Sequence, residues 1–353
     1  ASLMFFSFNL DMKEVNDLRY KIALVLRNNL FRGLYYHIRR HFIKMPKNHE
    51  LPYSINCINW FSLKETSVYD KYFSKNPEKK KLLLKLADDF LNGEVLVYNR
   101  KIKLYEYSID FYSERRLDND VVHQDLRFYW EIYRDRFVYN ICLAYFITKN
   151  EAYATKLLDY VKDWKKFTPL KSGNIPYNGM ESAIKIMNSS WILFFLENHL
   201  KNDNVASKCI RENIFFHASH IYKNYDITIY GLESNHGLSC SFGLILASYL
   251  FKNSPHSVKW YKLGSKTLKR GLKKQFSKEG VNFESSVQYH RFVFEMLTVL
   301  LGASFTRSSS ITDVLLGSLQ NIGQSLDALT HTNHNISRIG DSDGGKFFYD
   351  LGS

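Results

Sequence analysis

The stretch SNHGLSCSFGLILASYLFKNSPHSVKWYKLGSKTLKRGLKKQ, residues 234–275, predicts two helices joined by a very short connection. Apolar residues recur three and four positions apart in both halves, which is the periodicity of a helix that packs on one face. The predicted helices cover 235–252 and 255–275. Because so short a connection leaves room only for a reversal of direction, we expect the two helices to pack antiparallel as a hairpin.

The same periodicity extends over nearly the whole chain. Further helices are predicted over 13–42, 77–94, 125–148, 151–166, 178–200, 204–223, 284–304 and 309–330. From about residue 125 they alternate with short connections, and no fixed-length repeat is visible, which argues against a solenoid of similar units. Hairpins without a repeat can close into a toroid around a central cleft. We therefore expect an all-α fold, an incomplete (α/α) toroid of antiparallel helical hairpins.

The character of the chain changes near its end. The stretch HTNHNISRIGDSDGGKFFYDLGS, residues 331–353, is rich in Gly, Asn, Ser and Asp, which is typical of irregular structure. We therefore divide the chain into an N-terminal helical segment (1–76), a toroid domain (77–335) and the start of another domain (336–353). Because so few residues remain after 336, we expect the chain to be part of a longer protein and to be weakly active or inactive on its own.

The charge and hydropathy of the chain limit the kinds of molecule that it is expected to bind. The 353 residues include 48 Lys and Arg against 35 Asp and Glu, a formal net charge of +13, so a polyanion is the expected partner. No recognised DNA- or RNA-binding motif accompanies this charge, which argues against nucleic acid. No apolar run approaches the roughly 18 to 20 residues that cross a bilayer, so no membrane span is expected.

The sequence contains no recognisable cofactor or metal motif. The four cysteines are scattered and form no CxxC pair. A phosphate-binding Gly-rich loop, a GxSxG elbow and an HExxH pair are also absent from the sequence. We therefore expect neither a cofactor nor a metal.

Two short polar stretches combine side chains that suit acid-base chemistry. Asn235 and His236 stand at a predicted helix start, where free backbone N–H groups favour an anion. Tyr289, His290 and Arg291 stand near the start of another helix. Each stretch also has an ordinary interpretation: the first as a helix cap, the second as a core tyrosine followed by surface charges.

Taken in order, these segments resemble the heparinase II/III-like polysaccharide lyases, including the related alginate lyases. The similarity runs from about residue 80 to the end of the chain. The matching pieces are Trp130-Glu131 with Arg134, Met180-Glu181, Ser234-Asn235-His236, Glu284-Ser285 with Tyr289-His290, and Ile339-Gly340-Asp341-Ser342-Asp343.

The resemblance implies a fold and a reaction. In such enzymes an antiparallel β-sandwich domain follows the toroid, and an acidic polysaccharide binds in the cleft between them. The implied reaction is β-elimination at a uronate. Asn235 and His236 would neutralise the carboxylate, and Tyr289 would act as general base, general acid or both.

The resemblance also implies a set of substrate contacts and a location. The implied substrate-binding residues are His290, Arg291, Glu284, Glu181, Trp130 and Arg134. Lys185 stands where family members often carry Arg, a change that would alter substrate contacts. A periplasmic or secreted location is implied by the resemblance, whereas the lack of a recognisable signal peptide leaves the cytoplasm as the alternative.

Two other functions stay open on the sequence alone. One is a non-catalytic toroid that binds an acidic glycan or serves as a scaffold. The other is a nucleic-acid-binding helical protein, which is supported only by the positive charge and by an aromatic content of 16%.

Overall fold

The computed structural model describes residues 35, 38, 66–98, 100–104, 126–167, 179–227, 234–305, 310–331 and 336–342. The helices in these ranges are α1 (Thr66–Lys75), α2 (Pro77–Leu91), α3 (Leu126–Tyr133), α4 (Phe137–Thr148), α5 (Glu151–Phe167), α6 (Gly179–Phe195), α7 (Glu197–Asn202), α8 (Asn204–Lys223), α9 (Asn235–Leu250), α10 (Pro255–Gln275), α11 (Val287–Phe305) and α12 (Thr312–Ala328). Strands β1 (Glu94–Val97) and β2 (Arg100–Lys103) form a short antiparallel hairpin.

The helices form two layers. Every residue of α6 is buried, and so is every residue of α9 except His236. A helix buried all round must lie between other elements. Along the inner layer α4 packs on α6, α6 on α9 and α9 on α11, while α5, α8, α10 and α12 pack outside them. The fold is therefore the predicted all-α, incomplete toroid of helical hairpins.

A close contact fixes the α9/α10 hairpin. A Cβ atom added at Gly264 would lie 2.9 Å from the backbone oxygen of Ser241 and 2.9 Å from a side-chain carbon of Ile245. Only a residue without a side chain lets the two helices approach this closely. Trp260, which is 1% exposed, and the buried Leu268 pack on the same face of α10. The opposite face of α10 is left to solvent.

Two predicted helices are interrupted, which corrects their predicted extent. The helix expected over 125–148 breaks between α3 and α4, where Asp135 has a left-handed backbone with φ 53°. Tyr160 donates a hydrogen bond of 2.7 Å to Asp135, and Lys185 pairs with the same carboxylate. Tertiary contacts therefore hold a break that local periodicity does not show. The helix expected over 178–200 likewise ends at Phe195, and α7 begins at Glu197.

Other differences are local. The helix predicted from residue 284 begins at Val287, and α1 and the β1/β2 hairpin were not predicted. The predicted helix over 13–42 lies outside the described residues except for positions 35 and 38. None of the described helices is long and apolar enough to cross a bilayer.

Candidate active site

A cavity of about 150 Å³ opens where several helices begin. Its lining comes from the α3–α4 turn, the first turns of α6, α9 and α11, and the loop before α11. The lining residues are Arg134, Met180, Asn235, His236, Glu284, Tyr289 and Phe292. The two polar stretches of the sequence, Asn235-His236 and Tyr289, therefore face the same space although 54 positions separate them.

Asn235 is held by a carboxylate from the loop before α11. Glu284 accepts a 2.7 Å hydrogen bond from the backbone N–H of Asn235, one of the free N–H groups at the start of α9. Glu284 is itself placed by Asn282, whose side-chain oxygen accepts a 2.8 Å hydrogen bond from the Glu284 backbone N–H. The side-chain oxygen of Asn235 is buried and has no hydrogen-bond partner among the described residues. A buried amide oxygen without a partner is suited to a ligand group that donates a hydrogen bond, such as a hydroxyl.

His236 is the titratable side chain in the first turn of α9. Its Nδ1 lies 3.5 Å from Asp226 Oδ2, and the same oxygen accepts a 2.9 Å hydrogen bond from the backbone N–H of Gly179. Burial by itself lowers the pKa of His236, but the hydrogen bond and attraction of Asp226, with Glu181 and Glu284 adding to them, raise it overall. Asp226 thus joins the start of α6 to the imidazole and favours its cationic form.

Arg134 is fixed on the cavity wall by a buried network. Its Nε and Nη2 donate to the two carboxylate oxygens of Glu181 at 2.5 and 2.7 Å, and its Nη1 donates to Glu131 at 3.0 Å. Burial opposes the charged guanidinium, but attraction to Glu181 and then Glu131 raises the pKa of Arg134 above its ordinary value. Arg136 also pairs with Glu131, so two cations and two carboxylates balance one another.

The implied substrate contacts therefore divide into two groups. Arg134 and Glu284 line the cavity with the Asn235, His236 and Tyr289 set. Glu181 does not line it: the side chain is 0% exposed and both of its oxygens bind Arg134. In this structure Glu181 holds Arg134 in place.

The two residues after Tyr289 do not line the cavity. His290 is 2% exposed, its Nε2 lies 2.9 Å from the backbone oxygen of Ile322, and its ring packs edge-on against Phe276. Burial lowers the pKa of His290, although the contact with the Ile322 carbonyl opposes this. Arg291 Nε donates to Glu295 at 2.6 Å, one turn further along α11.

Trp130 does not line the cavity either. Its side chain is half-buried on α3, one turn before Arg134, and its backbone oxygen accepts a 2.9 Å hydrogen bond from the Arg134 N–H. The indole nitrogen is buried and has no hydrogen-bond partner within the described ranges.

Lys185 is a core residue in this structure. Its ammonium group pairs with Asp135, donates to the backbone oxygen of Tyr133 at 3.2 Å, and is 3% exposed. His217 lies beside it, 2.8 Å from the Tyr133 hydroxyl, and burial lowers the pKa of His217 well below its usual range. The lysine therefore supports the α3–α4 turn that carries Arg134.

The Gly/Asp stretch near the end of the chain supports the start of α11. Ser286 donates a 2.6 Å hydrogen bond to the backbone oxygen of Asp341, and the Val287 N–H donates to Ile339 at 3.1 Å. Gly340 has φ 75°, and an added Cβ would lie 2.2 Å from the backbone oxygen of Ser285. No motif pointed to this contact or to Asp226; the ordered match of 339–343 to the lyases was the only signal in the sequence.

The described residues contain no group of three or more His, Cys, Asp or Glu side chains that could hold a metal ion. The polar groups of the cavity are instead one amide, one phenol, two carboxylate-supported cations and Glu284. This set offers hydrogen-bond donors to an anion and groups that can exchange a proton.

The toroid of helical hairpins is the fold of the helical domain in solved heparinase structures. The chain belongs to the heparinase II/III family, since the family's N-terminal domain, "Heparinase II/III N-terminus", matches residues 50–315.

Individual relatives show the same likeness. A heparin-sulfate lyase of Pedobacter heparinus is 21% identical over 221 residues, which is 60% of this chain and 32% of that protein. The crystal structure of a heparan sulfate lyase from Pedobacter heparinus matches with a TM-score of 0.52 at 17% identity, over 94% of this chain and 50% of that one. A heparinase III structure matches with a TM-score of 0.53 at 14% identity, over 88% and 48%. The chain thus spans about a third of the curated relative and about half of these structures.

Proposed function

We propose that this chain is the helical part of a lyase that cleaves an acidic, uronate-containing polysaccharide by β-elimination. The observation that carries the proposal is that Asn235, His236 and Tyr289 line one cavity. Family membership supports the class of reaction. The names of the relatives, heparin-sulfate and heparan sulfate lyases, make heparan sulfate the first substrate to test.

The chemistry explains why these side chains are needed. The proton on C5 of a uronate becomes acidic only when the adjacent carboxylate is neutralised, because its removal places negative charge on that group. Asn235 is proposed to donate its amide N–H to the carboxylate, and His236 to balance its charge. Fixed donors stabilise such charge better than water, which must reorganise. Arg134, held by Glu181, adds a second fixed cation at the wall.

Tyr289 is proposed to move the protons. As the phenolate, its oxygen takes the C5 proton. The C4–O4 bond then breaks with formation of a C4–C5 double bond, and the phenol passes the same proton to the departing O4 oxygen, which restores the phenolate. No water is consumed, so the reaction is an elimination. The resemblance further implies that a β-sandwich domain following residue 336 completes the cleft.

The test compares the same Tyr→Phe substitution inside and outside the cavity. The full-length protein, its Tyr289→Phe variant and a Tyr72→Phe control are incubated with heparan sulfate, alginate and hyaluronan. Tyr72 is 45% exposed on α1 and does not line the cavity. The measurements are the ultraviolet absorbance of the new double bond and the affinity for each polymer.

We expect Tyr289→Phe to lower the rate of product formation by a factor of about 100 or more, as for loss of a general base or acid, and Tyr72→Phe to leave it unchanged. Product at the wild-type rate from Tyr289→Phe would exclude the proposed role. Tight binding without product from the wild-type full-length protein would favour the non-catalytic glycan-binding toroid.

A further inference from the structure

The outer face of α10 carries a line of five lysines. They recur at intervals of three and four residues, so they project from one side of the helix: Lys259, Lys262, Lys266, Lys269 and Lys273. All five are exposed. Lys273 lies 14 positions after Lys259, which is about 21 Å along the helix at 1.5 Å per residue. We call this line the lysine stripe.

The lysine stripe is not neutralised by its own helix. α10 contains no Asp or Glu in its 21 residues, and no acidic side chain in the described part of the chain pairs with these lysines. Other surface lysines do pair: Lys101 lies 2.6 Å from Asp89, and Lys162 lies 2.8 Å from Asp203.

Folding does not explain the stripe. The opposite side of α10 makes the packing contacts, and like charges three and four residues apart destabilise a helix. Uncharged polar residues would serve the fold equally well. A linear array of like charges is instead what a linear polyanion binds.

The stripe leads toward the cavity. α9 begins there and α10 runs antiparallel to it, so the Lys273 end of the stripe lies at the cavity end of the hairpin. The backbone confirms this direction: the Phe283 N–H donates a 2.8 Å hydrogen bond to the backbone oxygen of Gln275, and the next residue, Glu284, lines the cavity. A polymer that extends from the cavity past the Lys273 end of α10 would contact the lysine stripe.

We propose that the lysine stripe is a second binding surface for a linear acidic polysaccharide, separate from the cavity. It holds the polymer along the outside of the toroid while another segment occupies the cavity. Ammonium groups on flexible stems suit successive sulfates and carboxylates, because they bind as point charges without a fixed geometry. The identity of the polymer rests on the proposed function.

A nucleic acid fits the stripe less well. Proteins that bind single strands combine positive charge with aromatic rings on which bases stack. The exposed positions of α10 hold Pro255, Val258 and lysines, without an aromatic ring among them.

The test uses two triple variants with equal loss of charge. Lys262→Gln/Lys266→Gln/Lys269→Gln removes the middle of the stripe. The control, Lys71→Gln/Lys75→Gln/Lys80→Gln, removes three exposed lysines from α1 and α2. Glutamine keeps a helix propensity close to that of lysine, and circular dichroism checks the fold. Affinity is measured for long heparan sulfate chains and for a heparan sulfate tetrasaccharide, at several salt concentrations.

We expect the stripe variant to bind the long chains roughly tenfold more weakly at low salt, with a shallower salt dependence, because fewer counterions are released. The control should change by no more than about twofold, since its lysines form no continuous line. Binding of the tetrasaccharide, which is too short to reach from the cavity along the stripe, should be the same in all three proteins.

Several results would overturn the proposal. An equal loss in both triple variants would mean that only net charge matters. An unchanged affinity of the stripe variant would mean that the polymer binds elsewhere. Single-stranded DNA of equal length that binds as tightly, and with the same dependence on the stripe, would exclude the polysaccharide assignment. Binding through the stripe by a full-length protein that forms no double bond would refute the lyase and leave the stripe standing.

Discussion

The Arg134–Glu181 pair gives the sharpest test of how the cavity wall is built. Glu181 is 0% exposed, and both of its oxygens bind Arg134, which is itself 7% exposed. Glu181→Leu removes two of the three carboxylate contacts and leaves a buried guanidinium with one contact of 3.0 Å to Glu131. Removal of one partner of a buried ion pair costs about 3–5 kcal/mol of unfolding free energy. We expect a loss near the lower figure, because Glu131 remains.

The double variant Arg134→Met/Glu181→Leu is the matched comparison. It removes both charges together, so its loss of unfolding free energy should be smaller than the sum of the losses of Arg134→Met and Glu181→Leu, by roughly 1–3 kcal/mol. Unfolding by urea, followed by the loss of helical circular dichroism, gives the four free energies of the cycle. A Glu181→Leu variant that costs less than about 1 kcal/mol, or a double variant whose cost equals the sum, would refute the buried pair as described.

Three further predictions concern the supports of the cavity. Asp226→Asn should lower the pKa of His236, because the carboxylate that favours the cationic imidazole is lost. The imidazole binds an anion only when it is cationic, so glycan affinity should be lost at a lower pH than in the wild type. Binding measured as a function of pH checks this. Gly340→Ala should cost about 1–3 kcal/mol by urea unfolding, because its left-handed backbone resists a side chain. Gly317→Ala is the control, since a Cβ added there meets nothing within 4 Å. Gly264→Ala should lower the melting temperature, because the added methyl group would push α10 away from a backbone oxygen of α9. An unchanged melting temperature would contradict that contact.

The helices follow from the sequence because their signal is local. Hydrophobic periodicity over 235–250 and 255–275 is strong, and the short connection admits only an antiparallel hairpin. The break at Asp135 has no such signal. It depends on Tyr160 and Lys185, which are 25 and 50 positions away.

Some residues of the candidate site could likewise be predicted from the sequence, and others could not. Position at a helix start marked Asn235 and His236 as groups that could meet an anion, and the resemblance paired them with Tyr289. Periodicity could not say whether His290 faces a cavity or the core, because that depends on α12 and on the turn after α10. The structure settles it through the contacts of His290 with Ile322 and Phe276.

The sequence by itself determined the helical class, the hairpins and the order of the polar segments, because each depends on residues close together along the chain. Only the tertiary structure decided which charges face the cavity. Glu181 is neutralised by Arg134, which lies in a turn 47 positions earlier, and Asp226 reaches His236 across the starts of α6 and α9. Such pairings depend on how hairpins pack against one another, since packing brings together side chains whose spacing along the chain carries no signal.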